Sequence, residues 1–303
     1  MDALSHALVI VILFLAAGAA PLLLPFAIVG AVIVDADIVF GLFSGRSPSL
    51  YMFTHGGFAH SITGSVVMSG VAIAGMQMGF LAGALPVHAA GISLLLSFPV
   101  VLAGALIHIG IDALAYPGIP LLYPLSDRKM TAGILPGPSI LLFITSGSIA
   151  VSWFAGLVDT FIAIWAAAVI LVLFLAFRAG VFLVVRSRQL QERCVPTANP
   201  LQWILVDEDT TSVSVARYSL MRGISGQARF RKYTNTDPTG TEPFLSLPEV
   251  RRLKFHSYTM VAEKTGSGLI FSDPLREHGY FRYPPDYLRL VIPISPDKQG
   301  MNP

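Results

Sequence analysis

Six apolar runs, each close to the length of a bilayer crossing, fill the first 185 residues of this chain, and an ordinary soluble fold cannot accommodate them. They lie near Ala3–Ala20, Pro21–Phe43, His60–Leu85, Ala89–Ala115, Ser139–Leu157 and Thr160–Val185. A membrane helix needs about 20 apolar residues. Between the fourth and fifth runs, Tyr116–Pro138 is rich in proline and glycine, which reads as a structured loop. The charges divide the chain in the same way. Of 38 Asp, Glu, Lys and Arg residues, 12 precede Gln191 and 26 follow it. The expected fold is an α-helical integral membrane bundle of about six transmembrane helices over residues 1–193. A small β-rich soluble C-terminal domain follows over residues 194–303.

The start, Leu8 to Ala20 before Pro21, resembles a secretory signal. Its leading segment, however, carries Asp2 and no Lys or Arg, so a retained helix is expected. Loop charges then orient the bundle. Arg46 follows the second run, Arg128 and Lys129 the fourth, and Arg178, Arg186, Arg188 and Arg193 surround the end of the sixth. The alternate loops, near Pro21, Pro86–His88 and Asp159, carry no Lys or Arg. Six crossings put every basic residue on one side with both termini; five would not. The positive-inside rule makes that side cytoplasmic and the protein a multi-pass cell-membrane protein.

Beyond Pro196, alternation with a period of two in Ser212–Tyr218, Tyr258–Ala262 and Leu288–Ile294 predicts strands, and Asn235–Thr241 reads as a turn. The single cysteine, Cys194, cannot form an internal disulfide. A formal charge of +2 is too small to make nucleic acid an expected partner.

Ionisable residues inside membrane runs are costly and mark function by default. Here they are His6 in the first run, Asp35 and Asp37 in the second, and His108 and Asp112 in the fourth. His55 and His60 flank the start of the third, and Asp127 follows the fourth. With six crossings all of them lie at or near the cytoplasmic face, although none was used to set that topology. His108 and Asp112, at i and i+4, share one helix face. They either ligate one ion together or the carboxylate orients the imidazole. Asp35 and Asp37 point to nearly opposite sides of a regular helix. Either the helix is irregular there, or only one of them is a direct ligand. Gly56 and Gly57 place His55 in a turn, with His60 opening the next helix. His88 falls on the outer side, and His256 and His278 lie in the tail; structural roles are expected for all three.

Mixed imidazole and carboxylate donors suit zinc first, with manganese or iron as alternatives. His6, Asp35, His55, His60, His108 and Asp112 are the expected ligands of a divalent metal. They are more than one tetrahedral ion needs, so more than one ion can be held. Asp37 and Asp127 are the candidate acid–base carboxylates. Arg128, beside Lys129, is the candidate partner of an anionic substrate such as a phosphoryl group.

At these residues the chain resembles the YdjM-like family of membrane-bound metal-dependent hydrolases. The likeness is carried by Met1–Leu8, Asp35-Ala36-Asp37, His55–Ser61, His108–Asp112, Pro124–Lys129 and Asn199–Trp203. The family has Pro where Val34 stands, Arg at Gly56 and Thr at Ala59. Losing that Arg removes a contact to phosphate or to a ligand. The order of His and Asp residues is also distantly similar to the zinc phospholipase C and nuclease superfamily. These resemblances imply metal-activated hydrolysis of a phosphoester or phospholipid-like substrate at the membrane surface. The same residues would also suit an ion-coupled transporter or metal carrier, although a carrier site sits near the bilayer midplane between repeated halves and no repeat is visible. A degenerate, non-catalytic membrane scaffold is the third reading.

Overall fold

The computed structural model describes residues 3–81, 94–137, 139–189, 193–282 and 287–294. The chain forms two compact units. One comprises Met1–Phe43, Met52–Arg186 and Pro196–Pro200, the other Ser44–Tyr51, Ser187–Val195 and Leu201–Pro303. The short segment Ser44–Tyr51 therefore groups with the tail, and the bundle ends at Arg186.

The first unit is helical. It contains α1 (Ala3–Ala16), α2 (Leu24–Ile33), a 3-10 stretch over Val34–Phe40 and α3 (Gly41–Ser44). A 3-10 turn at Phe58–His60 precedes α4 (Ile62–Leu81) and α5 (Leu94–Asp112). Strands β1 (Ala115–Tyr116) and β2 (Leu135–Pro136) then pair in parallel before α6 (Ile140–Phe154) and α7 (Thr160–Arg188).

Among the described residues three helical stretches are long and apolar enough to cross a membrane: Pro21–Ser44, Ile62–Gly79 and Thr160–Arg188. Ala3–Ala16, Ser97–Asp112 and Ile140–Phe154 are apolar but shorter. The expected first and fifth runs were longer than the helices they form, and glycine explains why. Gly18 (φ 71°) and Gly156 (φ 67°) adopt the left-handed backbone that ends α1 and α6. The amides of Ala19 and Leu157 turn back onto Phe14 O and Ser152 O. The expected outer loop at Pro86–His88, with His88, lies outside the described residues. Outward faces of α6 and α7 expose Phe143, Ile144, Phe161, Trp165, Val172 and Leu173.

Helices α2 and α5 form the centre of the bundle. A Cβ on Gly30 would fall on the Val101 carbonyl, and one on Gly104 on the Ala27 carbonyl. The two backbones thus touch where both residues are glycine, with Ala27, Ala31, Val101 and Ala105 fully buried beside them. This contact brings the end of α2, with Asp35, against the stretch of α5 that carries His108.

The second unit is mostly β. Strands β3 (Arg193–Pro196), β4 (Gln202–Glu208), β5 (Ser212–Ser219) and β6 (Gly223–Arg231) form one sheet in that order. After β7 (Tyr233–Thr234) come α8 (Pro238–Thr241), α9 (Pro248–His256), β8 (Val261–Thr265), β9 (Gly268–Ser272), α10 (Pro274–Glu277) and β10 (Arg289–Ile292). The second sheet runs β10-β9-β8-β7. Its core joins Val250 and Leu253 of α9 to Ala262, Leu269 and Phe271. The strand expected at Tyr258–Ala262 begins only at Val261, because the Tyr258 amide donates to Asp273 Oδ2 (2.7 Å) instead of to a neighbouring strand.

Candidate metal centre

The site begins with a change of helix type. At Val34 the regular α2 tightens into a 3-10 stretch that lasts through Phe40. The helix is thus irregular here, as one of the sequence's two options had it, and residues two apart still diverge at three residues per turn. Asp35 Oδ1 lies 3.5 Å from both His60 Nε2 and His108 Nε2. Asp37 turns to the loop before α4. Its Oδ1 is 2.8 Å from His55 Nδ1, while its Oδ2 accepts from His60 Nδ1 (3.0 Å) and from the Gly56 amide (3.2 Å).

Asp112, the last residue of α5, completes the group. Its Oδ1 is 3.2 Å from His6 Nε2; its Oδ2 is 3.3 Å from His108 Nε2 and 3.4 Å from His60 Nε2. The rings of His6 and His108 stack with centroids 3.7 Å apart. Four helical segments therefore converge on one spot, as the sequence predicts, and His6, His60 and His108 are all but fully buried there. His55 sits at the edge, with 42% of its side chain exposed.

Spacing and hydrogen bonding together test whether these residues fit an ion. Two donors bound about 2 Å from one tetrahedral ion lie about 3.3 Å apart. His60 Nε2 and His108 Nε2 each stand 3.3–3.5 Å from Asp35 Oδ1 and Asp112 Oδ2, four separations all of that size. Both ring nitrogens of His6 and both of His108 are buried without a hydrogen-bond partner among the described residues, although carboxylate oxygens stand close by. Burying imidazole nitrogens unpaired is costly. Gathering a buried carboxylate, Asp37, and two partly buried ones, Asp35 and Asp112, also needs positive charge. A divalent cation answers both demands, and the residues fit one. Two groups can each hold an ion, His6 with His108 and Asp112, and Asp35 with His55 and His60.

Asp37 was expected as a catalytic acid–base group. It is fully buried, with one oxygen against His55 Nδ1 and the other accepting from His60 Nδ1 and the Gly56 amide. Asp127 and Arg128 are exposed residues of the loop after α5, where the Arg128 amide donates to Ser126 Oγ (3.2 Å). Two elements escaped the sequence. One is the Gly56 amide, which donates to Asp37 Oδ2 from a left-handed backbone (φ 76°) that favours glycine, although a side chain there would meet nothing within 4 Å. The other is Arg178, which served only to orient the loops although it stands inside an apolar run. That position was the available signal.

A protein-family profile described as YdjM inner membrane protein matches residues 1–184. That range contains every residue of the cluster and excludes Asn199–Trp203, which the sequence resemblance had included. No curated protein and no solved structure matches the chain.

Proposed function

Because the chain belongs to the YdjM inner membrane protein family, we propose that it is a multi-pass membrane hydrolase with a metal centre built from His6, Asp35, His60, His108 and Asp112. The observation that carries this reading is the set of four nitrogen–oxygen separations of 3.3–3.5 Å among His60, His108, Asp35 and Asp112. Zinc suits the mixed donors best, with manganese or iron next. A divalent ion held there supplies a Lewis acid and a water nucleophile at neutral pH.

The remaining steps belong to the chain itself. Asp37 keeps the proton of His60 on Nδ1, leaving Nε2 a free lone pair toward the centre. Asp112 presents one oxygen to His6 and the other to His60 and His108. His55, at the exposed edge, is proposed as a further ligand that forms a second ion-holding group with Asp35 and His60. Arg128, exposed in the neighbouring loop, supplies a cation for an anionic group. A phosphoester or phospholipid-like substrate matches this arrangement, arriving along the membrane surface. The topology proposed is six crossings with both termini cytoplasmic, because only that count gathers Arg46, Arg128, Lys129, Arg186 and Arg188 on one side. The short α1 and α6 are included as crossings on that ground.

Metal analysis of the detergent-purified chain, paired with phosphatase and phospholipase assays, tests the proposal. A bound divalent ion, with hydrolysis that disappears in Asp112→Ala, is the expected result. A chain that holds no metal and takes up none on titration overturns it.

A further inference from the structure

Arg178 lies inside the apolar helix α7, well before Arg186 and Arg188 at its end, and is 1% exposed. An arginine in such a position is costly and calls for a reason. Its Nε and one Nη both donate to the Ile134 carbonyl, at 3.2 and 2.9 Å. Ile134 belongs to the segment that crosses the C-terminal end of α5. The Ala132 amide donates to Ala113 O (2.7 Å), and the Ile134 and Leu135 amides both donate to Leu114 O (3.0 Å each). Thr131 Oγ1 donates to Ala115 O (2.6 Å). The carbonyls that follow Asp112 are thus closed by one strand of the loop, and that strand is held in turn by Arg178.

We propose that Arg178 is a positioning residue for the Asp112 carboxylate. The carbonyls at a helix end need partners from outside the helix; Ile109 O and Ile111 O find them in the Ala113 and Leu114 amides (2.9 and 3.0 Å), and the chain that supplies those amides is held in turn through its own carbonyls by residues 131–135. Asp112 is the final residue of α5, and its two oxygens serve different histidines. Its aim therefore depends on whether the turn after it stays closed. Residues 131–135 close that turn, and the guanidinium fixes them by fastening Ile134 to a membrane helix. An arginine suits this position because two of its donors grip one carbonyl oxygen where water is excluded.

The inference rests on the metal-centre reading above, and the test separates the two. Full-length protein in detergent is titrated with zinc against a chromophoric chelator, and amide hydrogen exchange is followed over residues 131–135. The comparison is between wild type, Arg178→Gln and Arg178→Lys. In Arg178→Gln, exchange should accelerate and zinc affinity should fall roughly tenfold, as for loss of a ligand-orienting partner. Arg178→Lys keeps the charge and a donor and should lie between the two in both readouts. A strut that only holds the fold would speed exchange without changing zinc affinity, and that result overturns the proposal; so does unchanged exchange. If Arg178→Gln does not fold, Arg178→Lys alone decides by the same criteria. Absence of zinc binding in wild type defeats the underlying reading, and is seen before any variant is made.

Discussion

Asp37 stands directly behind His60, with Oδ2 accepting from His60 Nδ1 at 3.0 Å while the opposite nitrogen faces the oxygens of Asp35 and Asp112. The Asp37 carboxylate and the nitrogen that faces Asp35 and Asp112 occupy opposite sides of one ring. This is how a carboxylate selects the tautomer and orientation of a metal-binding histidine. Asp37→Asn should therefore weaken metal binding by roughly 10- to 100-fold while leaving every direct ligand in place. Isothermal titration of the purified variant with zinc measures it. Affinity equal to wild type would show that His60 needs no such partner.

Removal of the metal should destabilise the bundle. A ligand that binds only the folded state at 100 times its dissociation constant adds about 2.7 kcal/mol. Chelation should lower the unfolding midpoint in detergent, and added zinc should restore it. In His108→Ala or Asp112→Ala the midpoint should no longer respond to either treatment. A variant that still responds as wild type does would place the stabilising ion elsewhere.

Much of this centre was legible in the sequence, because membrane burial makes every ionisable residue conspicuous. His6, Asp35, His60, His108 and Asp112 stood out among apolar neighbours, and they converge. The divergence of Asp35 and Asp37 was readable from their spacing of two, but the switch to 3-10 geometry at Val34 was not, since it leaves no mark that periodicity detects. Arg178 was visible but silent, because its partner is a backbone carbonyl, which has no sequence signature. Helix lengths were overestimated for a similar reason. Ala17 to Ala20 carry no polar side chain, and it is the backbone at Gly18 that ends α1.

The contact between α2 and α5 leaves no room at its two glycines. Gly104→Ala would set a methyl group on the Ala27 carbonyl, and Gly30→Ala one on that of Val101. Overpacking of this kind costs about 1–3 kcal/mol. Either substitution should lower the unfolding midpoint and, by parting Asp35 from His108, weaken metal binding too. Gly147→Ala in α6, where a Cβ meets nothing within 4 Å and alanine suits a helix better than glycine, is the matched control and should lower neither.

Topology is open to direct labelling. With Cys194 replaced by Ser, single cysteines near Arg46 and Arg128 should react only with reagents applied from the cytoplasmic side. A cysteine within Pro86–His88 should react only from the other side. Labelling of that loop from the cytoplasm would exclude the six-crossing arrangement.

The tail should carry an acid-sensitive hairpin between β4 and β5. Asp209 Oδ1 accepts from the amides of Thr211 and Ser212, both at 2.6 Å, and from Thr211 Oγ1 at 2.9 Å. Its Oδ2 accepts from Ser212 Oγ at 2.8 Å. These donors, the Thr211 amide foremost, hold the carboxyl well below the usual carboxylate range. An unfolded chain has no such donors, so protons bind it more readily than the folded hairpin. The stabilisation is therefore complete above about pH 4 and is lost as the pH falls below that. Because the side chain is half exposed, the effect should be modest. Thermal unfolding followed at Trp203, with Trp153 and Trp165 replaced by Phe, provides the measurement. Asp209→Asn should have a lower midpoint at pH 7 and a smaller further drop between pH 5 and pH 3. The two curves should draw together at the acid end, where the native side chain also loses its charge. Parallel curves across the whole range would mean that Asp209 contributes nothing through its ionisation.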